Sequence, residues 1–585
     1  MDDAVALRVR RWFAIVLIAI AGAEVIVLAL LAAGLESRTR LGPFLIVLHS
    51  PDKPLWTGLG AAFGLVVLGW SSAVYRRLGF LMIAGMVGLA IAIAARTAPE
   101  VVTKSDIAVT ELYVQLATAG NLLVGPYSRF LWHHPGPLYF WLQIPVYALS
   151  GQTGGGLYAG ALAINLISLG VLAWVLLRVD RGALALGILG AWLLFSWRDR
   201  FILASPWTAH VQVPSTITFV VLAAAAASGR PWMLPLLMVF GSFMAQCHVA
   251  LVPLVGALSA GAMIAVVLTR RLHGVRLSPV FNVCAWLLLA LWLMPIVEQL
   301  SHKPGNLLQL WRFFTTGKEA TPSYGIAFSA WSYAVVGVLR PDLYLPYGGH
   351  FRFTHLAWGV PLAVAQVLAL VVIGVRAFRG GRRFEAAMAW TALAAAVVSL
   401  WSVMHIHDDI LDHEVYWIVP LGAVNLAIIG AAMMRALERR LPRWSTAPHA
   451  AVVSCAVVIL LCVHDGLGDF QRLVAHESAP RGKDVQIETA YQSVRRYLGA
   501  EEINKPLFKV GQWDIAAAVF SRLYSSGTPF AIEDPWLPMF TDAFSAHGDE
   551  DAVITIGGRP QEDELTGLVT LQRDPIYVGA ERLKR

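Results

Sequence analysis

A polar segment from Lys104 to Pro137 carries the residue types that chemistry on a charged substrate requires. It begins with two acids and continues to an arginine and two adjacent histidines set among aromatic residues. A carboxylate can take a proton from a hydroxyl group or hold a divalent cation. Arginine and histidine can donate hydrogen bonds to phosphate oxygens. Apolar runs flank the segment, and charged groups beside a membrane are expensive to place and usually functional. This segment is therefore the first candidate site.

The candidate roles within this loop each have a structural alternative. The candidate catalytic acids are Asp106 and Glu111, and Asp106 is also a candidate metal ligand. Acids near a helix start can instead complement the helix dipole. The candidate phosphate-binding residues are Lys104, Arg129, His133 and His134, and the candidate substrate-binding or structural residues are Tyr127 and Trp132. The cations could also simply face lipid headgroups, which are phosphates too.

The composition excludes a water-soluble globule. The 585 residues are 57% hydrophobic and only 14% charged, with a mean hydropathy of +0.62. Many apolar runs have the roughly 17–25 residues that a membrane-spanning helix needs. The four cysteines show neither a disulfide framework nor a metal-binding spacing. We therefore expect an all-α polytopic membrane protein.

The placement of arginines predicts the topology. Arginines before the first apolar run put the N-terminus in the cytoplasm by the positive-inside rule. About 13 transmembrane helices then fit within residues 1–464, with outer loops at 97–155 and 301–354. The short apolar runs at 137–151 and 324–339 are expected to lie at the interface as helices. This scheme predicts a multi-pass protein of the inner (cytoplasmic) membrane.

Residues 465–585 differ in composition from the rest of the chain. They hold 19 of the 38 acids and 13 of the 45 bases, a net charge of −6. A helical stretch and short strand-like runs broken by Gly and Pro predict a small extracytoplasmic α/β domain. The basic residues of the chain form no continuous patch of the kind that nucleic acid requires.

The first loop resembles the membrane-embedded glycosyltransferases of the C superfamily (GT-C), which include protein O-mannosyltransferases and lipid A aminoarabinose transferases. Asp106 follows an early span, and His133-His134-Pro135-Gly136-Pro137-Leu138 opens the next helix. Members carry an acid in the first outer loop and a His/Lys-Pro-Pro-Leu-type motif after it. The resemblance covers residues 95–300 as an arrangement, and Gly136 departs from it because many members have proline there.

The resemblance implies transfer of a sugar from a polyprenyl-phosphate donor to a glycan, lipid or protein acceptor at the outer face of the membrane. It also implies a second acid in a later outer loop. Asp199 is the candidate, although Arg198 and Arg200 beside it could instead hold it in an ion pair. Neither the sugar nor the acceptor can be named from the sequence.

Other ionisable or polar residues lie near span ends. Gln246, His248 and Glu298 are candidates for substrate contact or for packing. The run from His405 to Glu414 is the densest in metal-type side chains, with His405, His407 and Asp408 as candidate ligands. Mg, Mn or Ca is the expected cofactor if a cation is used, although a solvated turn explains the run equally simply, and no zinc pattern fits.

Three other classes of function stay open at this stage. They are a lipid-linked glycan transporter or flippase, a polysaccharide polymerase or ligase, and a purely structural assembly subunit. Transporter sites usually lie near the bilayer midplane. The charged residues of this chain cluster at one face instead, which favours the transferase.

Overall fold

The computed structural model describes residues 3–35, 37–41, 44–48, 50–68, 72–180, 182–273, 277–316, 320–339, 358–440, 448–558 and 569–583. Over these residues the protein is a bundle of apolar helices followed by a small α/β domain. The predicted fold class is therefore confirmed. The part of the predicted outer loop at 340–354 lies outside the described residues.

The first helices form a unit of their own. This unit comprises α1 (Asp3–Ala32), the antiparallel hairpin β1 (Ser37–Leu41) and β2 (Phe44–Leu48), α2 (Asp52–Leu68) and α3 (Ala73–Thr97). Its buried residues form a separate small apolar cluster. The sequence analysis did not predict this hairpin.

The central helices build the main body and the candidate site. They are α4 (Ser105–Thr118), α5 (Leu138–Leu149), α6 (Gly154–Val179), α7 (Ala183–Arg198), α8 (Thr208–Ala227), α9 (Leu234–Cys247), α10 (Val252–His273), α11 (Ser278–Leu291), α12 (Leu293–Ser301) and α13 (Asn306–Thr316). The remaining membrane-part helices are α14 (Tyr324–Val335), α15 (Gly359–Arg379), α16 (Arg383–Met404), α17 (Asp412–Val415), α18 (Val419–Arg440) and α19 (Pro448–Glu477).

The expected number of about 13 spans is not confirmed. Within the described residues, nine helices are long and apolar enough to cross a membrane, or ten if α11 and α12 form one broken span bent by 50°. The difference has a geometric cause. The 16 residues of α7 rise about 24 Å at about 1.5 Å per residue, less than a hydrocarbon core of about 30 Å.

The C-terminal domain has the predicted α/β character. Its elements are α20 (Gly482–Ala500), β3 (Pro506–Val510), α21 (Trp513–Ser525), β4 (Ala531–Ile532), α22 (Leu537–Phe540), β5 (Ala552–Ile556), β6 (Val569–Gln572) and β7 (Val578–Arg582). The five strands lie in the order β4-β3-β5-β7-β6. β3 runs parallel to both its neighbours, and β7 runs antiparallel to both of its own.

The two parts of the chain share one apolar core. Buried residues of the central helices and of the C-terminal sheet belong to the same contiguous cluster. The α19 helix continues to Glu477, so the boundary expected at residue 465 falls inside a helix. The C-terminal domain is therefore packed onto the helical body.

Candidate active site at the first loop

The α4 helix positions Asp106 in its first turn. The Tyr127 hydroxyl donates a hydrogen bond to Oδ1 of this carboxylate. Burial raises the pKa of Asp106, while the Tyr127 hydrogen bond and the charge of His413 act in the opposite direction. A partly buried carboxylate with a hydroxyl donor and a nearby imidazole has the surroundings of a general base.

Residues 126–134 form a tight hairpin, referred to below as the histidine hairpin, which brings Tyr127 back to Asp106. Tyr127 pairs with His133 in an antiparallel bridge. The His134 N–H donates to the Pro126 carbonyl at 2.8 Å. Leu131 takes a φ of +65° at the turn, a conformation uncommon for residues other than glycine. The hairpin thus places the tyrosine and both histidines around α4.

Gly136, the departure from the family pattern, is required by packing. A Cβ atom at this position would lie 2.4 Å from Oε1 of Gln246 and 2.6 Å from Cγ of Pro295. Proline carries a Cβ, so it would meet the same atoms. The hairpin can approach α9 and α12 this closely only with glycine here.

Of the two adjacent histidines, His134 is buried and His133 is half-buried, and the surroundings of both rings disfavour the charged form. Burial lowers the pKa of His133 to about 4 and that of His134 well below its usual value. Nδ1 of His134 accepts a hydrogen bond from the Val249 N–H at 3.1 Å, so the proton of the neutral ring is on Nε2. Within the described residues, Nε2 of His133 is buried without a hydrogen-bond partner. As phosphate contacts, both would act as neutral donors.

Gln246 and His248 support the histidine hairpin. Oε1 of Gln246 accepts from the Leu138 N–H at 3.2 Å, and its amide donates to the Leu291 carbonyl at 2.8 Å. The His248 ring lies 4.5 Å from the His134 ring. Gln246 therefore ties the start of α5 to α11, and its use as a substrate contact stays a prediction.

Glu298 and Asn306 form a clamp on the same hairpin. Both carboxylate oxygens of Glu298 accept from the Asn306 N–H, at 3.0 and 2.9 Å. The Asn306 side chain accepts from the His133 N–H at 2.9 Å and donates to the His133 carbonyl at 2.8 Å. Glu298 thus acts on the site through Asn306. Asn306 was missed because an asparagine in a polar loop carries no distinctive sequence pattern.

Arg129 joins the first loop to the turn between α16 and α17. Its guanidinium donates to the carbonyls of His407 and Asp409 at 3.1 and 3.0 Å, and to the Glu414 carboxylate at 3.2 Å. Its side chain remains one-third exposed. Arg129 is therefore committed largely to positioning this turn, and its assignment as a phosphate contact stays a prediction.

His413 lies in α17, directly after this turn, and its ring lies 5.2 Å from that of Trp207. Its Coulombic influence opposes the rise that burial causes in the pKa of Asp106. The density of ionisable residues at 405–414 marks this segment in the sequence, but it does not indicate which residue acts on Asp106.

The candidate metal ligands of the turn do not converge. Nδ1 of His405 contacts the Trp401 carbonyl at 2.8 Å, whereas the His407 ring packs 4.7 Å from Phe313. The Asp408 side chain is 68% exposed and lies 4.0 Å from Arg129. Across the described residues, no group of three or more His, Cys, Asp or Glu side chains could hold a metal ion. The metal site therefore stays a prediction.

Asp199 interacts with a different set of residues from Asp106. It caps the end of α7, is only 6% exposed, and interacts with Tyr416 and with the charge of Arg198. The Tyr416 ring lies 6.5 Å from that of His210. Its role as the second acid stays a prediction.

Glu111 and Lys104 face the C-terminal domain. Thr103 and Tyr147 donate to the Glu111 carboxylate, the latter at 3.0 Å, and burial raises the pKa of Glu111. The Lys104 ammonium pairs with Asp484 at 2.8 Å. Both side chains already have partners in the protein, so we interpret them as structural. The catalytic role of Glu111 and the phosphate-binding role of Lys104 stay predictions.

Trp132 belongs to an aromatic cluster over the site. It is 5% exposed, and its ring lies 5.4 Å from His134 and 5.5 Å from Phe313 of α13. Within the described part of the chain, its indole N–H has no hydrogen-bond partner. The cluster covers the histidine hairpin with apolar surface.

Comparison with known proteins assigns no function to this chain. No family model matches the sequence, and no curated protein matches it. Among solved structures, the chain is similar to the crystal structure of ArnT from Cupriavidus metallidurans in the apo state. The two are 13% identical with a TM-score of 0.46, over 86% of this chain and 98% of that chain. A likeness at this level assigns neither a substrate nor residue roles.

Proposed function

We propose that this multi-pass membrane protein transfers a sugar from a polyprenyl-phosphate donor to a hydroxyl-bearing acceptor at the outer face of the inner membrane. The observation that carries the proposal is the Asp106 carboxylate, which accepts a hydrogen bond from the Tyr127 hydroxyl on the same hairpin that carries His133 and His134. A base and hydrogen-bond donors within one partly buried site are what glycosyl transfer from a phosphate requires.

Asp106 would take the proton of the acceptor hydroxyl as its oxygen attacks the anomeric carbon. The bond between that carbon and the phosphate oxygen breaks, and the electron pair stays on the phosphate. The N–H groups of the neutral His133 and His134 rings supply hydrogen bonds for this developing charge. The long polyprenyl chain of the donor requires apolar surface, which explains the embedding of the enzyme in a bilayer.

Replacement of the carboxylate tests this assignment. Asp106→Asn removes the base and should lower transfer by about 10²–10⁴-fold, measured as glycosylated acceptor formed by protein in lipid nanodiscs. Asp52→Asn is the matched control, because Asp52 also lies in the first turn of a helix but is exposed. Equal and small effects of the two substitutions would mean that Asp106 only complements a helix dipole.

A further inference from the structure

We propose that α13 is a membrane-surface helix. It buries one apolar face at the boundary between headgroups and acyl chains, and it binds anionic phospholipid headgroups through Lys303 and Arg312. This lipid-binding surface does not depend on the proposed transfer reaction. Three features support it: the arrangement of side chains around α13, the apolar surface that continues from α12, and the charges near the corner between the two helices.

One face of α13 packs on the protein. Asn306 bonds the His133 backbone, Leu310 is buried, and the Phe313 ring lies 4.9 Å from that of Phe130. Positions 306, 310 and 313 are spaced i, i+4 and i+7, so they share one side of the helix. This side holds α13 against the histidine hairpin.

A second apolar face of α13 is exposed. Leu307, Trp311 and Phe314 repeat the spacing i, i+4 and i+7 on the neighbouring side of the helix, and Leu308 lies beside them. Trp311 is 68% exposed, Phe314 44% and Leu308 37%. Exposed apolar side chains on consecutive turns are costly in water, whereas a helix lying in a membrane interface buries such a face.

The exposed face continues from the preceding helix. On α12 the exposed apolar residues are spaced i, i+3, i+4 and i+7, and they are Leu293, Ile296, Val297 and Leu300. Together α11 and α12 are apolar and long enough to form one broken span, so we infer that this stripe meets lipid. The 11 residues of α13 rise only about 16 Å, too little to cross a hydrocarbon core of about 30 Å. The helix therefore extends the lipid-facing surface along the membrane boundary.

Hydrogen bonds fix the corner between α12 and α13. Besides the bonds of Glu298 described above, Oε1 of Gln299 accepts from the Leu308 N–H at 3.0 Å. The Gln309 amide donates to the Pro304 carbonyl at 3.1 Å. These bonds join the end of the broken span to the first turn of α13, so the direction of α13 is set by the span.

The charges near this corner suit an anionic membrane surface. The connection after α12 and α13 itself contain one lysine, one arginine and no acid. These residues, Lys303 and Arg312, are both exposed. Two acids of the neighbouring segment, Asp408 and Glu414, lie 4.0 and 3.2 Å from Arg129, which offsets their charge. Basic residues beside an exposed Trp and Phe face are typical of helices that bind anionic lipid surfaces.

Local fluorescence quenching tests where α13 lies. A bimane label is attached at Trp311→Cys on the exposed apolar face or, as the matched control, at Thr316→Cys on the polar side of the same helix. The four native cysteines are buried and compete little for the label. The full chain is held in nanodiscs of equimolar phosphatidylcholine and phosphatidylglycerol. We expect lipids with a nitroxide on the acyl chain to quench the label at 311 several-fold more than at 316, and aqueous iodide to show the reverse order.

The same label reports the preference for anionic headgroups. Nitroxide phosphatidylglycerol should quench the label at Trp311→Cys more strongly than nitroxide phosphatidylcholine, because the two basic residues enrich the anionic lipid. Lys303→Gln and Arg312→Gln should each lower this preference by up to about fivefold, the factor for one basic residue near an anionic surface. Arg379→Gln, at an exposed arginine in the last turn of α15, is the matched control and should leave the preference unchanged.

Three results would overturn the proposal. If iodide quenches the label at Trp311→Cys and nitroxide lipids do not, α13 faces water. If neither quenches it, another protein surface, such as a second copy of the chain, covers the helix. If the two nitroxide lipids quench equally, Lys303 and Arg312 do not bind headgroups. If Trp311→Cys does not fold, Leu308→Cys on the same face carries the label. Transfer activity enters none of these measurements, so their failure would leave the proposed function standing.

Discussion

At the scale of single residues, Tyr127 tunes the candidate base. Its hydroxyl hydrogen bond stabilises the carboxylate of Asp106 and so opposes the rise in pKa that burial causes. The base must be deprotonated to act, so activity is present above its pKa and is lost as the pH falls through that value. Tyr127→Phe should therefore move the acidic limb of kcat/KM to higher pH, by about one unit for a hydrogen bond of about 1.5 kcal/mol to a charged group. An unshifted limb in a folded Tyr127→Phe protein would mean that Asp106 is not the titrating base.

At the scale of structural elements, α12 and α13 hold the histidine hairpin through Asn306. Asn306→Ala removes both side-chain hydrogen bonds to the His133 backbone, and we expect donor turnover to fall about tenfold, since each buried group left unpaired costs about 1–3 kcal/mol. Asn306→Asp keeps an acceptor for the His133 N–H and should have an intermediate effect. Steady-state turnover would be measured beside Gln309→Ala, because this half-buried side chain of α13 donates an exposed hydrogen bond to the Pro304 carbonyl and none to the His133 backbone in the described structure. Equal turnover in the Asn306→Ala and Gln309→Ala proteins would show that the clamp does not position the site.

At the scale of the whole molecule, the C-terminal domain packs on α4, the helix that carries Asp106, and forms hydrogen bonds with it. The Gln115 amide donates to the hydroxyls of Ser521 and Ser525 at 3.1 and 2.7 Å, and the Tyr113 hydroxyl donates to the Met539 carbonyl at 2.8 Å. Gln115→Leu should therefore lower both the melting temperature and donor turnover. Gln492→Leu is the control, because Gln492 is exposed on α20 and its amide donates a hydrogen bond to Glu488 of the same helix. A Gln115→Leu protein with normal turnover would mean that the domain serves only other steps.

The sequence was sufficient for the class of fold and for the loop that carries the site. Hydropathy identifies the apolar helices, and the change in acid content identifies the α/β domain, because both depend on composition over long windows. The contacts of Asn306 and Arg129 join chain segments 173 and 278 residues apart, and no local spacing reports such contacts. The same limit applies to the turn at 405–414, because the spacing of His405 and His407 does not show that their rings contact different neighbours.

The central claim is that Asp106 is the base required to break the bond between the sugar and the lipid phosphate of the donor. The most direct measurement incubates the purified protein in lipid nanodiscs with a polyprenyl-phosphate sugar that is labelled in both the lipid and the sugar. The released polyprenyl phosphate and the transferred or hydrolysed sugar are then quantified together. The account predicts equal amounts of the two products with the wild-type protein and neither with Asp106→Asn. A donor that stays intact with the wild-type protein, or cleavage that continues unchanged in Asp106→Asn, would contradict it.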